Sequence, residues 1–178
     1  MTGHASRVTG NGFRLWWRAA RPYAYPASVV PVLLGAALAF ADGISVSVWR
    51  LALTLAGVVA AHTGGNLMND FFDFTKGFDR AGTLGGSGVL VSGLMTPRGV
   101  LAGAIISFAA AAAAGLPLVV AAGWPIAALA FFGLISGVGY VAPPFGFKYR
   151  ALGDVIVLLA FGVGITLGSY FVQALRFS

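Results

Sequence analysis

The sequence predicts an all-α, polytopic transmembrane helix bundle with about five transmembrane helices. Three observations lead there. Of the 178 residues, 58% are hydrophobic and only 9% charged, where a soluble globular domain carries about 25% charged residues; mean hydropathy is +0.89. Between Gly99 and Phe147 there is no charged residue at all. The eleven basic residues lie beside apolar segments rather than on one face, which excludes a nucleic-acid-binding surface and matches the basic flanks of membrane spans. With no Cys and only His4 and His62, the chain has no disulfide framework, thiolate metal site, Cys nucleophile or His-based metal motif.

Residues 1–21 read as an N-terminal arm and 22–178 as the membrane domain. In the arm, Arg14, Arg18 and Arg21 surround Trp16 and Trp17, a composition suited to a short interfacial helix over about 13–21. Pro22 to Ala41 supplies 20 uncharged residues for a first span, which Pro22, Pro26 and Pro31 should kink or delay. A cleaved signal peptide is the competing reading, opposed by the long polar lead and the further spans. Leu51 to about Asn69 is the second span. Phe74 to Pro97 is a Gly-rich connection, and GGSG at 85–88 lacks the Lys-Ser/Thr of a phosphate-binding Walker loop, so it reads as a flexible link. Connections of this length often serve as lids or binding loops.

Gly123-Trp124-Pro125 divides the charge-free stretch into spans near 99–121 and 125–142. The pairs Gly99/Gly103, Gly133/Gly137 and Gly164/Gly168, with six Ala at 109–114, suit close helix packing. Pro143 to Asp154 is a second polar island, and Val155 to Leu175 a fifth span. With the N-terminus in the cytoplasm, nine basic residues fall inside and only Arg50 and Arg176 outside. That asymmetry places both polar islands on the cytoplasmic side of a cell (inner) membrane.

The chemistry concentrates in His62 to Arg80. All five acidic residues are Asp, and Asp70, Asp73 and Asp79 fall here. If the second span stays helical, His62, Asn66, Asp70 and Asp73 share one face with Asn69 beside it. Their oxygens suit a hard cation such as Mg²⁺, which keeps waters and shares its shell with phosphates. Lys76, Arg80, Lys148 and Arg150 are candidates to hold the phosphate oxygens. Together these describe a site for a diphosphate whose lipid tail stays in the bilayer. The plainer alternative is an acidic helix end that is simply solvated, although acids at a helix C-terminus oppose the macrodipole and call for a positive partner. His62 alone reads more naturally as a hydrogen-bonded interior residue, and Asp154 as an N-cap of the fifth span. The mid-spans carry no charge, which argues against an ion path.

At these residues the chain resembles the UbiA superfamily of intramembrane prenyltransferases. Asn69-Asp70-x-x-Asp73, preceded by Asn66, is similar to that family's first Asp-rich motif. NxxNDxxDxxKGxD at 66–79, Arg21-Pro22 with Pro26-Ala27-Ser28 and Pro31-Val32-Leu33-Leu34-Gly35, and Ser92-Gly93-Leu94 with Thr96-Pro97 resemble the 1,4-dihydroxy-2-naphthoate prenyltransferase branch of menaquinone biosynthesis. Tyr149-Arg150-Ala151-Leu152-Gly153-Asp154 and Gly168-Ser169-Tyr170-Phe171-Val172-Gln173 fit the same branch. In many members the first motif reads NDxxDxxxD; here Gly77 takes the final acidic position and Asp79 follows two residues later.

The resemblance implies a prenyltransferase that uses Mg²⁺ to transfer a polyprenyl group from polyprenyl diphosphate to an aromatic acceptor. Asn66, Asp70 and Asp73, with Asp79, would hold metal and diphosphate, and Tyr140 would line the acceptor pocket. The departing diphosphate leaves an allylic carbocation that Phe71, Phe72 or Phe74 could shield. The family fold has about nine transmembrane helices and a second Asp-rich motif that this sequence does not contain. The resemblance therefore covers a truncated, N-terminal half, and a second chain supplying the other half is an expected partner.

Overall fold

A computed structural model describes residues 12–80 and 86–175, and its ordered elements are helices. His4, Arg7 and Arg176 lie outside the described residues. Helix α1, Gly12–Ala20, ends at Arg21 because the next residue is proline, which bars the α conformation before it. Arg21 instead takes the left-handed region at φ 54°. After a 3-10 turn at Pro22–Ala24, α2 runs over Pro26–Ala41 with Pro26 in its first turn. The prolines thus delay the first span by four residues, and the arm from Gly12 to Ala24 meets α2 at a bend of 52°.

α3, Val48–Thr75, is 28 residues long, about 42 Å. It continues as helix through the acidic cluster instead of stopping near Asn69. α4, Pro97–Ala122, starts with Pro97 in the first turn and Thr96 Oγ1 accepting from the Gly99 amide at 3.1 Å. Gly123 at φ 81° turns the chain into α5, Trp124–Gly139. α6, Gly153–Ala174, contains a π-helical stretch at Leu158–Gly164. Asp154 lies in the first turn of α6, with Leu152 at the cap position. Among the described residues three helices, α3, α4 and α6, are long and apolar enough to cross a membrane. The bent α1–α2 pair passes that test only as one unit, and α5 has 16 residues. The five apolar segments are helical where expected, but two are shorter than full spans.

α3 and α4 form the central antiparallel pair. The Phe108 ring lies on Gly64, 3.0 Å from where a Cβ would stand, and Gly57 faces Ala111 and Ala114. Most of the remaining 109–114 alanines are exposed. α2 packs along the later half of α6, where a Cβ at Gly35 would stand 2.4 Å from the Thr166 carbonyl oxygen. That contact is the close backbone approach of the bundle. The glycine pairs anticipated for this role instead receive side chains (Trp16 over Gly103, Phe132 near Gly164), and Gly133 faces open space. At the end of the bundle far from the acidic cluster, Tyr170 donates to Asp42 at 2.7 Å and the Ser47 amide to Gln173 Oε1 at 2.8 Å.

Candidate functional site

The last two turns of α3 carry the cluster against Arg21, the segment 86–90 and the Phe147–Arg150 turn. Local helical geometry sets one face, as the spacing predicts, and each member of that face meets a different element. His62 Nδ1 lies 2.5 Å from Ser28 Oγ on α2, with its ring edge against Tyr25 and Phe161. The interior, hydrogen-bonded reading of His62 holds. Asn66 Nδ2 donates to the Ala20 carbonyl at 2.8 Å, tying α3 to the end of α1.

Asp70 is paired with Arg21, and the two side chains are 2% and 8% exposed. The Ser87 amide donates to Asp70 Oδ1 at 3.2 Å, and its hydroxyl donates to Oδ2. Arg18 Nε holds the Ser87 carbonyl at 2.7 Å, while Val89 and Leu90 are buried among Leu67, Met68, Val100 and Val141. The described part of the 85–88 stretch, residues 86–88, is therefore clamped on the acidic cluster rather than serving as a loose link. Arg21 Nε is buried and has no hydrogen-bond partner among the described residues.

Asp73 turns to the second island. Lys148 Nζ lies 2.5 Å from its Oδ2 and 3.0 Å from Asn69 Oδ1, and Tyr149 donates to its Oδ1 at 2.7 Å. The island is positioned by main-chain contacts at the end of α5: the Lys148 amide donates to the Tyr140 carbonyl at 2.9 Å. Lys76 Nζ donates to the Val141 carbonyl at 2.8 Å and stands 4.0 Å above the Tyr149 ring. Phe78 stacks on the same ring with centroids 4.8 Å apart. Burial, followed by the hydrogen bond to Asp73 and its charge, holds the Tyr149 phenol well above its usual range.

Asp79 also belongs to the cluster. Its carboxylate lies against Gly86, within 2.8 Å of where a Cβ would stand, so only glycine fits there without displacement. Burial first, then the charge of Asp73, raises its proton affinity, while Arg21 and Lys148 act in the opposite sense.

Asn66, Asn69, Asp70, Asp73, Asp79, Lys76 and Lys148 are thus brought together. Arg150 is not; its guanidinium donates to Pro144 O at 3.0 Å within its own island, and Arg80 Nε donates to Gly77 O at 3.4 Å. Tyr140 packs over Gly153, its hydroxyl 3.3 Å from where a Cβ would stand. The apolar depression nearby, about 280 Å³, is lined by Leu134, Ile135, Val138, Gly139, Pro143 and Phe145, and Tyr140 is not part of its lining. Phe71 and Phe72 meet edge to face at 5.2 Å and, with Phe74, pack on the core.

Arg21, Ser87 and Tyr149 were not singled out for the site by their residue types. Arg-Pro at the end of an amphipathic helix marks a turn that could have flagged Arg21. Tyr149 neighbours a candidate lysine. For Ser87 no local signal exists.

The donor set fits a hard divalent cation, being carboxylate and amide oxygens, and burial, followed by the charge of Asp73, raises the Asp79 carboxyl, costs that such a cation would offset. Among the described residues no three acidic or His side chains stand close enough to form a closed cage.

Comparison with known proteins matches residues 28–175 to the UbiA prenyltransferase family. The chain is 36% identical over 158 residues to "UbiA prenyltransferase domain-containing protein 1" of Mus musculus, covering 87% of this chain and 46% of that protein. To the homolog in Drosophila melanogaster it is 36% identical over 170 residues, covering 91% and 46%. To the "1,4-dihydroxy-2-naphthoate octaprenyltransferase" of Bacillus subtilis (strain 168) it is 29% identical over 160 residues, covering 90% and 51%. The chain spans about half the length of these relatives. Its apolar helices, its acidic cluster and the extent of the match agree, and the chain belongs to the UbiA prenyltransferase family.

Proposed function

We propose that this chain carries the first Asp-rich half of a Mg²⁺-dependent polyprenyltransferase site. That site moves a polyprenyl group from polyprenyl diphosphate to an aromatic acceptor, 1,4-dihydroxy-2-naphthoate of menaquinone biosynthesis being the proposed one. The observation that carries the reading is the convergence of both polar islands at one end of the bundle, with Lys148 bridging Asp73 and Asn69. Asn66, Asp70, Asp73 and Asp79 would hold Mg²⁺, which when bound neutralises charge developing on the leaving diphosphate.

The chain's own residues do the rest. Lys76 and Lys148 offer point charges to phosphate oxygens, and Arg21 offers a buried Nε–H that has no hydrogen-bond partner among the described residues. Arg80 and Arg150, held on Gly77 O and Pro144 O, are kept as proposed outer phosphate contacts. The Phe72 ring, packed on the core with Lys76 5.4 Å above it, is a proposed ring to shield an allylic cation. Tyr140 is kept as the candidate acceptor-pocket residue. The positive-inside asymmetry supports the proposed orientation, with this end of the bundle and the N-terminus at the cytoplasmic face of the cell (inner) membrane.

A second reading is that the chain is non-catalytic alone and acts as a membrane module, or needs a partner chain for the other half. The chain covers 42–51% of the length of the relatives it matches. One assay separates the two. The 178-residue chain is reconstituted in lipid with Mg²⁺, polyprenyl diphosphate and dihydroxynaphthoate, alone and with a co-expressed second half. Product from the chain alone supports autonomous transfer, with Asp70→Ala and Asp73→Ala each lowering it at least about 100-fold. Product only with the partner half supports the second reading, and none in either setting rejects the proposed chemistry.

A further inference from the structure

We infer that Lys148 is the resident counter-ion of the acidic cluster and competes with the divalent cation for Asp73, so that the cation site opens only when the lysine is drawn away. The inference rests on the reading of the cluster as a cation and diphosphate site, and adds to it how occupancy is controlled.

The two ion pairs seen in the cluster among the described residues differ in kind. Arg21–Asp70 is buried on both sides, and Asp70 is also gripped by the Ser87 amide and hydroxyl. Lys148–Asp73 is lopsided, with the carboxylate side chain 4% exposed and the lysine side chain 36%. The Lys148 backbone is anchored through its amide to Tyr140, so only its flexible four-carbon stem needs to move. Its ammonium occupies the space between Asp73 Oδ2 and Asn69 Oδ1, two hard oxygens that a cation would otherwise use, and Tyr149 has taken Asp73 Oδ1. Lys76 does not stand in for it, being held on the Val141 carbonyl and the Tyr149 ring.

Removing the lysine with nothing in its place would leave a buried carboxylate uncompensated, which is costly. An ammonium and a divalent ion cannot both sit on the same carboxylate oxygen without strong repulsion. A diphosphate resolves this by accepting the Lys148 ammonium and leaving Asp73 to the cation. Cation and diphosphate then bind with positive, reciprocal coupling, and the cation alone binds weakly.

The test is equilibrium binding of Mn²⁺ alone, read by its electron paramagnetic resonance signal, to the full 178-residue chain in lipid nanodiscs. Lys148→Gln is expected to bind Mn²⁺ about tenfold more tightly than the unsubstituted chain, a coupling of ordinary size. Lys148→Arg keeps the charge and stays near the unsubstituted value. Adding Asp73→Asn to Lys148→Gln removes the gain. Lys148→Met, with a stem of similar length, replaces the Gln variant if circular dichroism shows that one misfolded. Equal affinity in the neutral variant and the unsubstituted chain overturns the competition while leaving the proposed site intact. Absence of Mn²⁺ binding in every form overturns both.

Discussion

Asp70 and Asp73 stand one helical turn apart on α3 and are neutralised from opposite sides, one by an arginine before α2 and the other by a lysine after α5. That division lets a helix C-terminus tolerate acids that its dipole disfavours. Asp79 is the carboxylate left facing its own kind. Folding raises its pKa above the unfolded value, so the folded chain binds that proton more tightly and its charged form is the costly one. The associated stability is therefore present at low pH and lost as pH rises through the raised value. In metal-free buffer, Asp79→Asn should raise the thermal midpoint near pH 7, with the gain vanishing below the ordinary carboxylate range. Thermal melts with a chelator across pH 3 to 8 check it, and a gain that grows at low pH would contradict the assignment. These residue-scale contacts were only partly visible in the sequence. The shared face of Asn66, Asp70 and Asp73 follows from helical spacing, whereas Arg21–Asp70 and Ser87–Asp70 join residues 49 and 17 positions apart that no periodicity links.

Among the elements, α2 and α6 show why a glycine motif alone does not locate a helix contact. Gly35 sits where the Thr166 carbonyl, Ser169 Cβ and Tyr170 amide all lie within 2.8 Å of a would-be Cβ. Gly133, half of an apparent small-residue pair, meets nothing within 4 Å among the described residues. Gly35→Ala should cost about 1–3 kcal/mol, since backbone must shift to admit the methyl. Gly133→Ala should be neutral or slightly stabilising, because alanine is the better helix former by about 1 kcal/mol. Unfolding of the two variants in the same detergent compares them directly, and equal midpoints would mean that α2 and α6 are not packed as described. The π-helical stretch of α6 brings Phe161 against His62, one place where a local break in helix geometry serves a contact between elements.

For the whole molecule, the two ends of the bundle carry different chemistry. One gathers the acidic cluster and both islands; the other has the Asp42–Tyr170 and Ser47–Gln173 bonds with Arg50. The proposed orientation is testable because the chain has no cysteine of its own. Thr75→Cys and Ser45→Cys place single thiols at exposed positions of opposite ends. A membrane-impermeant maleimide should label Ser45→Cys in intact cells and Thr75→Cys only after permeabilisation. The reverse pattern would invert the topology and put the proposed site outside.

By itself the sequence determined the membrane class, the positions of five apolar helices and the face on which Asn66, Asp70 and Asp73 align. Each of these depends on residues close together in the chain, through hydropathy, charge and the 3.6-residue period. Only the tertiary structure decided which cation meets which carboxylate, that Ser87 clamps Asp70, that Arg150 stays in its own island and that Gly35 is the tight contact. Those outcomes depend on how helices rotate and slide against one another. That depends on side-chain volume summed over whole interfaces, which no short window of sequence contains.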